Sequence, residues 1–329
     1  TKYQSSFSLK ETPQSEPIPG TTQIQNEAGG YSWAVDHWVR LERFLILGAE
    51  GPTYYASQQK LVKENAGAVL KCIGENSQRV VDMTVDISIG GRAPKNDPAL
   101  FVLAMVAGCG SNDGRKAALA ALAQVARTGT HLFTFLDYVK SFRGWGKGLR
   151  KAVSRWYTSK DIDALAYQVV KYRQRGGWTH ADALRLAHPN HPDYHALLKW
   201  VVDGVVVGPL PPLIGKFQQL QEATDARTMC GLIDRTVPWE AIPSKFLSKP
   251  SVWKALLPYL PLTATIRNLG RMTANGALKP LSPEVELAIG KLTQDRIRAA
   301  RVHPIAILAA LTTYASGKGA RGSLEWTPI

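Results

Sequence analysis

Apolar residues in this chain recur at three- and four-residue spacing rather than at alternate positions, which predicts helices almost throughout. Trp33, Val35, Trp38, Leu41 and Leu45 fit one helix, closed by Gly48 and the Gly51-Pro52 pair. Residues 54–73 read as a second, with Leu61, Val62, Val69 and Leu70 on its inner side. Further helices are predicted over 98–107, 115–127, 131–142, 149–157, 162–175, 181–187, 194–201, 213–220, 224–234, 252–257, 262–273, 283–292 and 304–315. Asp97-Pro98 places a cap before a proline at the first helical position, and Thr179 to Asp182 has the form of a capping box with a shortened acid. No run keeps period two and no Asn-Gly turn separates β-branched runs, so strands are not expected.

Residues 1–30 break this texture. Pro13, Pro17, Pro19 and Gly20 sit among Ser, Thr and Gln with little apolar period, the mark of an extended arm. Residues 31–329 then form the helical-repeat domain. A single bundle of so many short helices would need a very thick core. Stacked pairs avoid this because each pair touches only its neighbours, so the fold class read here is all-α, built from HEAT-like repeats.

Charge adds a partner to this picture. The 329 residues carry 40 Lys+Arg against 26 Asp+Glu, a formal charge of +14, which calls for nucleic acid, an acidic membrane surface or an acidic protein. The longest uncharged apolar stretches, 99–109 and 201–212, are too short to span a bilayer. Cys72, Cys109 and Cys230 lie far apart, with neither zinc-type pairs nor a disulfide framework, which fits a reducing, cytoplasmic setting.

The charge is also concentrated. Residues 140–185 hold eleven basic side chains (Lys140, Arg143, Lys147, Arg150, Lys151, Arg155, Lys160, Lys171, Arg173, Arg175 and Arg185) against only Asp161, Asp163 and Asp182. That segment carries more than half of the net charge. Lys147, Lys151 and Arg155 fall on one helical face, and Lys171 and Arg175 repeat the four-residue spacing on the next predicted helix. Like charges at that spacing repel by a few tenths of a kcal/mol, roughly 0.2–0.5 per pair, and a polyanion reverses the sign. The interleaved aromatics Phe142, Trp145, Trp156, Tyr157, Tyr167, Tyr172 and Trp178 offer stacking faces for unpaired bases or, equally, core for the helix packing. Arg267, Arg271, Arg296, Arg298 and Arg301 form a second, weaker patch.

Three motifs suggest other chemistry. Phe101 to Gly114 has the form of an apolar strand, a glycine turn and a helix, with Asp137 placed like a ribose-binding acid; this is the rival reading, a nucleotide-dependent enzyme. Asp97-Pro98 argues instead for a helix there. Asp86, Ser88 and Gly90 resemble the metal-ion strand of von Willebrand A-type domains, but glycine replaces the second serine. His188, His191, Asp193 and His195 crowd into eight residues, yet two prolines disrupt the spacing that zinc requires. No metal or cofactor is expected. An α-solenoid scaffold for proteins is the third reading.

Longer motifs carry a family resemblance. Asn26 to Tyr31, Arg43 to Tyr55, Gly91 to Leu100, Lys171 to His180 with Leu184 to Pro189, Ile266 to Met272, and Arg301 to Pro304 with Tyr314 to Gly319 resemble the Ro family, whose shared module is the TROVE domain. The resemblance spans residue 26 to Pro328. It implies a ring of HEAT-like repeats that binds small noncoding Y-like RNAs outside and admits single-stranded ends of misfolded RNAs through a basic hole, without catalysis, with an exoribonuclease as a candidate partner in RNA quality control. On that resemblance Lys171, Arg175 and His188 are the RNA-contacting residues; the charge pattern, not the resemblance, adds Arg173, Lys147, Lys151, Arg155, Arg267 and Arg271 as further candidate contacts. Family members continue into a von Willebrand A-like domain where this chain stops, so no metal site is carried over and ring closure is left open.

Overall fold

In this sequence caps and glycines, more than propensity, decide where each helix begins and ends. The computed structural model describes residues 15–26, 28–33, 35–48, 58–300, 302, 304–318 and 324–329, with the side chains of 58–62 left aside. Expectations that fall on 1–14, Gly51-Pro52, the start of the second helix, Leu61, Val62, Arg301 and His303 lie outside the described residues.

The first helix starts later than its apolar period suggests. Gln23–Gln25 (β1) and Tyr31–Trp33 (β2) pair antiparallel, so Trp33 belongs to a hairpin and part of the expected arm is a strand. Asn26 shapes the turn, its Oδ1 accepting from the Ala28 and Gly30 amides. Helix α1, His37–Leu47, is capped by Asp36, whose Oδ1 accepts from the Val39 amide at 2.7 Å. Gly48, at φ 72°, ends it.

Helix α2 runs Gln58–Gly90 with a break at Asn76, where φ/ψ is −156°/89°. Asn76 caps the second half, accepting from the Arg79 amide at 2.9 Å. The metal-strand look-alike therefore lies on a helix, and Ser88 is engaged by Asn96 and Arg127. Next come α3, Asp97–Cys109, and α4, Asn112–Val125. α3 is buried almost all round, because it packs against α1, α2, α4 and α5, Gly129–Val139.

The remaining helices are α6 Lys147–Thr158, α7 Ile162–Lys171, α8 His180–Ala187, α9 His195–Asp203, α10 Pro212–Glu222, α11 Ala226–Leu232, α12 Pro250–Leu256, α13 Leu262–Ala274, α14 Pro283–Lys291, α15 Gln294–Ala299 and α16 Pro304–Ala315. Packing runs between near neighbours in sequence: α6 on α4 and α8, α8 on α9, α10 on α7 and α11, α13 on α16. One continuous apolar core links α1 to α14. The all-α repeat class is thus present, with two small hairpins that the patterning missed.

The glycine-rich segment shows why it attracted a nucleotide reading and why that reading fails. Residues 101–108 are helix, so no strand leads into the turn. Ser111 caps α4 through the Gly114 amide. A Cβ on Gly108 would stand 2.4 Å from Phe142 Cβ, and one on Gly114 would stand 2.2 Å from Ser77 Cβ. These glycines let helices touch, and protein atoms fill the space a pyrophosphate would need. Gly114→Ala should therefore cost about 1–3 kcal/mol of overpacking, read as a lowered denaturant midpoint with helical circular dichroism retained; an unchanged midpoint would contradict the contact.

Candidate nucleic-acid interface

The basic segment divides once its side chains are placed. Six of its eleven cations are engaged by the protein itself. Lys140 pairs with Asp137 at 2.5 Å, Arg143 donates to the Ala107 carbonyl and Arg185 to that of Val202. Lys160 lies 3.7 Å above the Trp156 ring and donates to the Trp156 carbonyl; burial pushes its ammonium down to about 8. Lys171 is the fifth, and Arg173, with its guanidinium 5.1 Å from the Phe217 centroid, is the sixth. Lys147, Arg150, Lys151, Arg155 and Arg175 face outward.

Helix α6 carries the exposed group. Leu149, Ala152, Val153, Trp156 and Tyr157 are buried, while Lys147, Arg150, Lys151 and Arg155 are exposed. None of these four has an ion-pair partner among the described residues. Lys147 opens the helix, no acid lies in the first turn, and Gly146 provides no side-chain cap. A cation at a helix N-terminus opposes the macrodipole by about 0.3–1 kcal/mol. Of the four, only Arg155, in the last turn, lies where the dipole favours a cation.

Helix α7 is capped by Asp161 and ends at Lys171, so Arg175 is not on it. The expected four-residue stripe is broken because Tyr172 turns the chain out and a tight hairpin follows. Gln174–Arg175 (β3) pairs with Trp178–Thr179 (β4) across Gly176 and Gly177, at φ 57° and 81°. Two positive-φ residues are what a type I′ hairpin turn demands, and glycine supplies them without strain. Trp178 lies against Trp145, with ring centroids 6.2 Å apart, and β3 rests on α5. Arg175 is exposed there, and its charge is felt by His131 of α5.

Lys171 points elsewhere. Its ammonium is half-buried, 5.3 Å from the centroids of both Tyr167 and Tyr172, and donates to the Tyr167 hydroxyl at 3.3 Å. Burial opposes its charge, yet Glu240 and the two phenols hold its pKa above the ordinary lysine value. Glu240, between Trp239 and Ala241, is raised by burial, offset in part by Lys171 and Arg267. Lys171 and Arg267, placed in separate patches by the sequence, thus share one carboxylate. Nothing in the spacing around Glu240 marks it. Arg267 and Arg271 are exposed, one turn apart on α13.

His188 closes α8 in the left-handed region, φ 48°, ψ 55°, with its side chain exposed. With Arg185, His191, His195 and Lys199 it lines a cleft of about 260 Å³. Among the described residues no cluster of His, Cys, Asp and Glu could hold a metal ion, and no helix is long and apolar enough to cross a membrane.

The hairpin and α8 are held by a capping box that the sequence shows and by a buried histidine that it does not mark. Thr179 and Asp182 form the expected capping box, Thr179 Oγ1 accepting from the Asp182 amide at 3.2 Å and Asp182 Oδ2 accepting from the Thr179 amide at 3.0 Å. The next residue, His180, is buried with its Nδ1 2.8 Å from the Tyr157 hydroxyl. Its ring stacks on Trp156 and meets Phe133 edge-on at 4.7 Å.

This helical scaffold and its motifs can be set beside known proteins. The TROVE domain matches residues 24–203 and 223–318. The chain belongs to the TROVE-domain family. It is 38% identical over 326 residues to a Deinococcus radiodurans protein named RNA-binding protein RO60, covering 96% of this chain and 61% of that one. A Caenorhabditis elegans protein of the same name is 30% identical over 404 residues, covering 97% of this chain and 62% of its own. The chain therefore spans about three fifths of these relatives. The crystal structure of the Deinococcus radiodurans Ro protein matches with a TM-score of 0.75 at 38% identity, covering 89% of this TROVE chain and 61% of the other.

The buried imidazoles make a pH prediction for this TROVE scaffold. Burial lowers His180 from 6.5 to about 4; burial, then Arg127 and Arg175, lower His131 from 6.5 to about 4. Between those values the unfolded chain binds more protons than the native one, so stability falls as pH falls. Their contribution is complete above pH 6.5 and is lost progressively down to about pH 4. Urea midpoints should drop across that window, and His131→Gln should flatten the drop by up to about 1.4 kcal/mol per pH unit. An identical slope in the variant would contradict the assignment.

Proposed function

We propose that this TROVE-domain chain is a non-catalytic RNA-binding protein of the Ro type. The observation that carries the reading is the outward face of α6: Lys147, Arg150, Lys151 and Arg155 are exposed and unpaired among the described residues, and Lys147 opens the helix against its dipole. A regular array of phosphates turns that self-repulsion into attraction through counterion release. Arg175 on its rigid hairpin adds a planar donor fork suited to phosphate. The names of the Deinococcus and Caenorhabditis relatives support RNA as the polyanion.

The finer assignment follows the family resemblance. Small structured Y-like RNAs occupy the outer basic surface, with Arg175, Arg173 and His188 at its centre and Lys147, Lys151 and Arg155 beside it. Single-stranded ends of misfolded RNAs are the second ligand class, and Lys171 and Arg267, which both act on Glu240, with Arg271 one turn further along α13, suit a separate single-stranded path. A nuclease acting on those ends is the matching partner, in cytoplasmic RNA quality control. Lys171 then contacts phosphate only by exchanging its tyrosine and Glu240 neighbours for it.

The test separates the two basic groups. With a Y-like RNA hairpin as probe, Arg175→Ala combined with Lys147→Ala, Lys151→Ala and Arg155→Ala should weaken binding at physiological salt. The slope of log K against log salt should become shallower by about 1 for each phosphate no longer neutralised. All four positions are exposed, so thermal unfolding should hardly move. Unchanged affinity and slope would remove this surface from the RNA interface. Lys171→Ala should behave differently, lowering stability as well, because it leaves Glu240 half-buried without that ammonium.

A further inference from the structure

Between the β3–β4 hairpin and the α9–α10 pair lies a cleft of about 550 Å³, within the roughly 300–1,000 Å³ of small-ligand sites. Of the predicted RNA contacts, only Arg173 lines it. Its floor is apolar, made by Val169 of α7, Val201 of α9 and Phe217 of α10. The Trp200 ring forms one wall and meets Phe217 edge-on, with centroids 6.2 Å apart at 85°. Opposite, the Arg173 guanidinium stands 5.1 Å from the Phe217 centroid, and Gln174 sits beside it, exposed. Gly204, at φ 73° with nothing within 4 Å of where a Cβ would be, leaves the rim open.

The polar groups here are unused. Among the described residues no hydrogen bond engages the Arg173 guanidinium, the Gln174 carboxamide or the Trp200 indole N–H. Thr179 also lines the cleft, but its hydroxyl is already committed to Asp182. An aromatic face, a planar cation and a free carboxamide over an apolar floor match the needs of one flat heterocycle with polar edges and an adjacent negative charge. A peptide would leave the carboxamide and indole donors without their planar partner.

The geometry points to a nucleobase subsite: one unpaired nucleotide of a bound RNA places its base in this cleft against Trp200, with Gln174 reading the base edge and Arg173 holding the neighbouring phosphate. The inference rests on the RNA-binding reading and adds base contact to it. Successive strand residues face opposite sides, so Gln174 and Arg175 address the base cleft and the outer phosphate surface from one rigid hairpin. A nucleotide that leaves a stem can thereby be held on both sides at once.

The probes are a ten-nucleotide single-stranded oligoadenylate and the same ribose-phosphate chain abasic at every position, titrated by fluorescence anisotropy into the full chain. Wild-type protein should bind the base-bearing oligomer about tenfold more tightly, the scale of base–aromatic stacking. Trp200→Leu should abolish that discrimination while leaving abasic binding unchanged, and Trp200→Phe should restore most of it. Gln174→Ala, at an exposed position, should reduce the discrimination several-fold and gives the same reading should Trp200→Leu not fold. Equal binding of both oligomers by wild type, or discrimination that survives both Trp200→Leu and Gln174→Ala, overturns the subsite while leaving the RNA-binding reading intact. Failure of wild type to bind either oligomer or the Y-like hairpin overturns the RNA-binding reading itself.

Discussion

A neutral histidine sealed among aromatic rings fixes how α5 to α8, and the cations of α6 and the following hairpin, are arranged. His180 begins α8, and its Nδ1 lies 2.8 Å from the Tyr157 hydroxyl of α6. With the phenol donating, the ring's single proton sits on Nε2, which has no hydrogen bond of regular geometry but feels the nearby backbone of Gln168 and Tyr172. Burial drives both groups to stay uncharged, holding the phenol well above its ordinary value and the imidazole down to about 4. The ring also stacks on Trp156 and meets Phe133 edge-on. One side chain thus ties α5, α6, the end of α7 and the start of α8. Gly129 completes the fit, since a Cβ there would stand 2.9 Å from Nε2.

What this clamp positions is charge of two kinds. On α6 the buried face packs on α4 and α8, which forces the basic residues of the same helix outward, where no ion pair among the described residues compensates them. At the end of α7 the opposite happens: Lys171 is drawn in among tyrosines and shares Glu240 with Arg267. The first group is available to a polyanion at no structural cost. The second must break existing contacts to bind one, which makes it the more selective of the two. The hairpin between them has little freedom, since Trp178 packs on Trp145 and Thr179 is locked into the α8 cap.

The helical class, most helix positions, the capping box at Thr179 and the family itself were legible in residue order. Caps and periods are local, and the family motifs are long enough to be specific. The errors have local causes too. Trp33 shares the apolar period of α1 but pairs with β1, because Asp36, three residues on, starts the helix. Arg175 keeps helical spacing from Lys171, yet the Gly176-Gly177 turn makes it a strand residue. The glycines of 108–114 resembled a phosphate loop because composition cannot distinguish a glycine that admits a ligand from one that admits Phe142 or Ser77.

Sequence alone determined that the chain is basic, that its excess is regional, and that α6 bears its cations on one face, because helical phase follows from spacing. Only the tertiary structure decided which cations are free. That depends on neighbours distant in the chain: the Ala107 carbonyl for Arg143, Glu240 for Lys171, Phe217 for Arg173. The cleft of Trp200, Phe217, Arg173 and Gln174 belongs to the same category. Its parts come from α9, α10 and the approach to β3, and only their packing brings the aromatic wall and the polar rim face to face.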